Sequence, residues 1–382
     1  MAEIAFWSCV ALVVYSYIGY PCALVALALV RRRPVMRQAI TPRVSFIITA
    51  HNEAARIAPK LENTLSQDYP AEALEIIVAS DCSTDATDEI VRAYGPRVTL
   101  VRAPERRGKE AAQQLALRAA SGDILVFSDV ATALAPNGVS AIVRNFADPT
   151  VGCVSSEDRF VDADGRVSGE GAYVRYEMFL RSLESRVNSL VGLSGSFFAA
   201  RRDVCRRWAA DRQSDFSTLL NAVQMGLRGV SDPESAGYYR NINDERREFD
   251  RKVRTVARGM AVFAANLGML NVFRYGLFSW QLASHKLTRW LVPFALIGAA
   301  LSSVWLAAES PIYGVAALLQ TACYAAAIAG RRTGSRVLRI PAFFAISNLA
   351  VLAAWLRFVR GDRMTTWTPS ERTSTLPETS VT

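Results

Sequence analysis

The feature that most constrains this chain is an almost wholly apolar run over residues 4–30, closed by Arg31, Arg32, Arg33 and Arg37. A run of that length exceeds the roughly 20 residues needed to cross a bilayer's hydrocarbon core. Only Glu3 carries side-chain charge ahead of it, which reverses the polarity of a cleavable signal peptide. The arginines that follow place the next segment on the cytosolic side. The expected start is therefore a retained anchor, with its N-terminus outside.

Three more apolar runs, 291–308, 312–329 and 340–359, are expected to span as well. Glu309 marks the first connection as outward. Arg331, Arg332, Arg336 and Arg339 mark the second as inward. Three spans would leave the tail outside, whereas Arg357, Arg360 and Arg363 favour a tail inside, so the side of the tail stays open and one run is a candidate for a re-entrant or interfacial segment. Between residues 251 and 289 shorter apolar stretches alternate with basic residues, the pattern of amphipathic helices lying in the cytosolic interface.

The net charge of +9 comes largely from the arginine clusters beside these runs, which fits anionic headgroups rather than nucleic acid. No basic stripe interleaved with aromatics accompanies them. The six cysteines are scattered without a CxxC pair, which argues against a zinc site or a disulfide framework and suits a reducing cytosol. Apart from Arg357 near the end of the last run, the spans carry no internal acidic or basic residue, and they show no inverted repeat, which argues against a transporter reading.

From Arg43 onward, short β-rich runs (44–49, 74–79, 98–102 and 124–127) alternate with helix-patterned segments (57–67, 85–94 and 108–120). That alternation predicts βαβ units and a parallel sheet. Polar clusters follow the strand ends: His51-Asn52-Glu53, Asp81 and Asp129. In open α/β sheets the ligand crevice lies at the carboxyl ends of the strands, so these clusters predict one site. There is no GxGxxG after the first strand and no Walker loop, which argues against dinucleotide or ATP chemistry.

The segments VSFIITAHNEAARI, EIIVASDCSTDATDEI, RRGKEAAQQLAL and GDILVFSDVATAL, in this order and spacing, resemble the nucleotide-sugar half of membrane-bound family-2 inverting glycosyltransferases. Such enzymes include the hyaluronan, chitin-oligosaccharide, cellulose and poly-N-acetylglucosamine synthases. The resemblance implies an α/β GT-A (Rossmann-like) catalytic domain plus transmembrane α-helices, a UDP-sugar donor, a divalent cation (Mg or Mn) and inversion at the anomeric carbon. The expected organisation is an anchor at 1–40, a GT-A domain at 41–250, interfacial helices at 251–290, transmembrane helices at 291–360 and a polar tail at 361–382.

Carried residue by residue, the resemblance makes Asp81 and Glu53 nucleotide-facing carboxylates. Lys109, behind Gly108 at a helix start, is a natural neighbour of a diphosphate. Asp129 is the first carboxylate of a metal-binding DxD, but Ala131 stands where a second acid is common. Asp215 matches the general base that takes the acceptor hydroxyl's proton; a first-turn helix acid capped by Ser214 suits the same sequence. Gly195 lies in a glycine-containing acceptor segment. Arg254 keeps the arginine of a QxxRW motif whose Gln and Trp are replaced by Arg251 and Thr255, which weakens the case for a long-chain polymerase. His51 is expected to make a structural hydrogen bond.

The leading reading is an inverting transferase at the cytosolic face of a bacterial-type inner membrane, moving a sugar from a UDP-sugar to a polysaccharide or lipid-linked acceptor among membrane lipids, with no nucleic acid. Ala131, Arg251 and Thr255 keep a second reading open: a catalytically impaired membrane subunit that binds nucleotide or partners in an envelope-polysaccharide assembly complex.

Overall fold

The computed structural model describes residues 1–161, 172–240, 245–333, 337–362 and 364. The chain divides into two compact units. One is built on Arg31–Asn243 with Val262–Asn266; the other gathers Met1–Val30, Asp244–Ala261 and Leu267–Asp362.

In the first unit the described strands are β1 (Val44–Ala50), β2 (Leu74–Ser80), β3 (Thr99–Arg102), β4 (Ile124–Asp129), β5 (Ala133–Leu134), β6 (Val151–Val161), β7 (Phe197–Arg201) and β8 (Arg228–Arg240). They form one sheet in the order β3-β2-β1-β4-β7-β6-β8-β5. β1 is buried along its whole length, as expected of a central parallel strand covered on both faces. Its alternate residues serve two cores. Phe46 and Ile48 pack with Ile57 and Leu61 of the helix Ile57–Leu65, while Ile47 packs with Ala112 and Ala116 of the helix Lys109–Ala119.

The parallel pattern expected from the sequence holds for β3-β2-β1-β4. Beyond β4 the sheet is mixed: β7 runs antiparallel to both β4 and β6. Hydrophobic periodicity encodes which residues are buried but not the direction of a strand, so this half was not legible. The reversal matters for the site. In a parallel set all carboxyl ends share one edge, and an antiparallel neighbour brings its amino end to that same edge. The segment preceding Phe197 therefore meets the residues that follow β1, β2 and β4.

In the second unit four helices are long and apolar enough to cross a membrane: Ala2–Val30, Leu277–Leu306, Pro311–Gly330 and Ile340–Val359. Leu301, Val304, Trp305 and Leu318 are exposed on these helices. The first two helices each contain a π-helical turn, Tyr15–Gly19 and Ala283–Leu287. The turns face each other: the Tyr15 hydroxyl lies 2.7 Å from Ser284 Oγ and accepts from Trp280 Nε1 at 2.9 Å. The second span begins earlier than its apolar run, because His285, Lys286 and Arg289 lower the local hydropathy without interrupting the helix. Residues 251–264, expected in short interfacial helices, lie on the longer helix Glu245–Ala264.

Candidate active site

Three strand ends and one strand start build the site edge. The register pairs Ala50 with Ser80 and Thr49 with Asp129, so the residues leaving β1, β2 and β4 emerge side by side. β7 joins them where Ser128 pairs with Phe197, and the Asp129 N–H donates to the Ser196 carbonyl at 3.0 Å.

Lys109 is the hub of this edge. It opens the helix Lys109–Ala119, and its Nζ donates to Asp129 Oδ1 at 2.5 Å and to the Gly195 carbonyl at 2.8 Å. Burial alone would lower its pKa, but the Asp129 carboxylate outweighs burial and the net shift is upward, so the ammonium is retained. Gly195 also lies beside Asp215: a Cβ there would meet Asp215 Oδ2 at 3.2 Å. Asp215 is itself buried in the first turn of the helix Ser214–Gln224. Its Oδ1 accepts from the Phe216 N–H at 2.8 Å and its Oδ2 from Gln213 Nε2 at 3.1 Å. Ser214 is the first residue of that helix rather than its cap.

Asp81 is fully buried, and its two carboxylate oxygens accept from the backbone N–H groups of Arg107 (2.9 Å) and Gly108 (3.0 Å). The Gly108 φ of 104° is a conformation that side chains disfavour, and the glycine lets its N–H reach inward just before Lys109. In this structure Asp81 thus holds the loop that delivers Lys109. His51 makes the structural hydrogen bond expected of it, Nδ1 donating to the Asp81 carbonyl at 2.7 Å. Asp85, one residue ahead of the N-cap Ala86 of the helix Thr87–Arg92, accepts from the Thr87 N–H at 3.0 Å.

Glu53 is also buried, and it pairs with Arg56 at 2.6 Å. Burial pushes its carboxyl up to about 7, with the Arg56 guanidinium opposing the rise. Arg254 belongs to the other unit, half-buried on the helix Glu245–Ala264.

Two elements of the edge had escaped the sequence reading. Lys60, on the helix Ile57–Leu65, is buried with Nζ donating to Ser128 Oγ at 2.8 Å and to the Thr132 carbonyl at 2.6 Å. It brackets the Asp129-Val130-Ala131 turn, and burial pushes its pKa down to about 7 although Asp129 opposes the fall. The available signal was its spacing: Lys60 lies on the stripe of Ile57, Leu61 and Thr64, which are all buried. The second element is Asp158, whose Oδ1 accepts from Ser194 Oγ at 2.5 Å and from Ser196 Oγ at 3.0 Å, fixing both flanks of Gly195.

A divalent cation at a nucleotide site takes its oxygen ligands from one or two carboxylates, from water and from the donor's phosphates, so the carboxylates decide whether the protein holds it. Among the described residues no three His, Cys, Asp or Glu side chains stand together to hold one. Ala131 offers no ligand, and Asp129 already accepts from an ammonium. The side chains at this edge do not fit a cation held by the protein.

The comparisons agree with this architecture. Residues 45–208 match the model of Glycosyl transferase family 2. The chain is 26% identical over 218 residues to succinoglycan biosynthesis protein ExoO of Rhizobium meliloti, covering 53% of this chain and 62% of that protein. It is 30% identical over 217 residues to glycosyltransferase AglD of Haloferax volcanii, covering 53% of this chain and 34% of the other. It thus spans less than two thirds of the length of either relative. A solved structure, the mannosyltransferase PcManGT from Pyrobaculum calidifontis in complex with GDP-Man and Mn2+, superposes with a TM-score of 0.75 at 25% identity, covering 95% of this chain and 100% of that one. Glu53, Asp81, Lys109, Asp129 and Gly195 fall inside the matched residues, while Asp215 lies just beyond them. On a GT-A-like mixed sheet, residues 45–208 thus match a glycosyl transferase family 2 domain.

Proposed function

We propose that the chain is an inverting glycosyltransferase that moves a sugar from a nucleoside-diphosphate donor to a glycan or lipid-linked acceptor, at the cytosolic face of an inner membrane. The observation that carries this reading is the series Asp129–Lys109–Gly195–Asp215, which brings a cation and a carboxylate to the same glycine. In the step, Asp215 takes the acceptor hydroxyl's proton while that oxygen bonds to the anomeric carbon. The bond from that carbon to the phosphate oxygen breaks, and its electron pair leaves on the nucleoside diphosphate. Lys109 keeps its proton and faces the departing charge.

UDP is the expectation from the sequence, whereas the full-length structural neighbour is named with GDP-Man and Mn2+, so both bases belong in the test. The four apolar helices support a membrane setting, and the arginines after the first helix support cytosolic catalysis. Arg251 and Thr255 in place of the QxxRW glutamine and tryptophan support transfer of single residues rather than long-chain synthesis. Purified protein in lipid is expected to release UDP or GDP from one of the common nucleotide sugars. Nucleotide binding without release from any of them would favour the impaired-subunit reading that Ala131 invites.

A further inference from the structure

We infer that in this chain the Lys109 ammonium supplies the positive charge against the donor's diphosphate, and that transfer needs no divalent cation. The inference rests on the donor reading above and concerns the same site.

Ala131 is the starting observation. The position where a second acidic ligand is expected carries a methyl group, and no further carboxylate, imidazole or thiol completes a ligand set among the described residues. The remaining carboxylate is occupied. Lys109 Nζ sits 2.5 Å from Asp129 Oδ1, so a cation binding there would have to displace an ammonium already in contact.

Lys109 is also placed rather than loose. Its two acceptors come from different strands, Asp129 ending β4 and Gly195 preceding β7, and each is independently fixed. The Asp129 N–H is bonded to the Ser196 carbonyl, and Ser194 and Ser196 are bonded to Asp158. Behind the turn, Lys60 holds Ser128 and Thr132 from the opposite face of the sheet, so the Asp129–Ala131 turn keeps its shape without a metal to organise it.

An ammonium has three N–H donors, and these two contacts take two of them. The third is available to an anionic oxygen. A lysine at the start of a helix of eleven residues adds its charge to that of the helix N-terminus, the setting in which phosphates bind. The pair Lys109–Asp129 is neutral, so an incoming diphosphate draws the ammonium partly off the carboxylate rather than meeting a bare negative charge.

The test is calorimetric binding of UDP and of GDP to the full-length protein in lipid nanodiscs, in EDTA and in Mn2+, alongside transfer rates in the same buffers. Affinity in EDTA is expected within about threefold of that in Mn2+, because the cation contributes little. Lys109→Met is expected to weaken binding about tenfold or more in both buffers, while Lys109→Arg retains it within a few-fold. Ala131→Asp is expected to introduce a preference for Mn2+ of about tenfold, by restoring a second carboxylate ligand. Thermal unfolding of each variant separates lost folding from lost binding. Wild-type binding that collapses about a hundredfold in EDTA and returns with Mn2+ overturns the inference and leaves the donor reading intact. A folded Lys109→Met that binds as wild type also overturns it. Absence of UDP and GDP binding in both buffers overturns the inference and the donor reading together.

Discussion

Gly195 lies so close to Asp215 that a methyl group on its α-carbon would stand 3.2 Å from the Asp215 Oδ2. The carboxylate cannot simply swing away, because Gln213 Nε2 and the Phe216 N–H hold its two oxygens. Gly195→Ala is therefore expected to leave the fold intact and displace the base by a few tenths of an ångström. A fall in kcat of between about tenfold and a hundredfold, with KM for the donor little changed, is the expected outcome. Steady-state kinetics with unaltered activity would show that this contact does not set the geometry of transfer.

Asp215→Asn keeps the shape of the side chain and removes its basicity. Turnover is expected to fall about 100- to 10,000-fold, the range that a positioned base contributes. Nucleoside-diphosphate affinity measured by calorimetry should stay unchanged, because the donor contacts lie on the Lys109 side. A variant that retains turnover would move the base elsewhere.

Asp81 gives a different signature. Asp81→Ala leaves the Gly108 N–H buried and both loop donors without their acceptor, at about 1–3 kcal/mol for each donor left unpaired in the interior. A lowered thermal midpoint is expected together with weaker nucleotide binding, since the released loop no longer presents Lys109. If binding is lost while the midpoint stays put, Asp81 touches the nucleotide directly and its loop contacts are secondary.

The Lys60 ammonium predicts a pH dependence. Its pKa falls from 10.5 to about 7 on folding, so the unfolded chain binds the extra proton between those values. Its contribution to stability is complete above about 10.5 and is lost as pH falls to about 7, which means stability rises with pH across that window. Relative to Lys60→Met, the wild-type thermal midpoint should climb between pH 7 and pH 10. Parallel profiles for the two proteins would refute the depressed pKa.

How much of this was legible in the sequence depends on the element. The parallel half of the sheet was readable, because β1, β2 and β4 are short apolar runs each followed by a polar cluster, and a parallel sheet brings such ends to one edge. The places of Glu53 and Asp129 were readable for the same reason, and that of Lys109 from its position behind Gly108 at a helix start. The antiparallel half was not, since the direction of β7 follows from its connections. Lys60 was missed because a lysine on a helix is read as solvated unless its register is checked against the buried stripe. Asp81 directly follows β2, but its carboxylate satisfies the chain's own N–H groups, and a partner supplied by local backbone geometry leaves no mark on composition or spacing. The early start of the second span was hidden by three basic side chains that a helix tolerates and a hydropathy window does not.

The position of β7 has a bearing on biogenesis. β4 is complete at Asp129, yet the strand that covers its outer edge begins at Phe197, so the chain leaving the ribosome first exposes an unpaired strand edge. The later arrival of β7 protects that edge and, in the same event, carries Gly195 to Lys109. Quality control of the nascent chain and assembly of the site thus converge on one folding step: a molecule whose β4 edge is still open is vulnerable to aggregation and, by the same defect, inert.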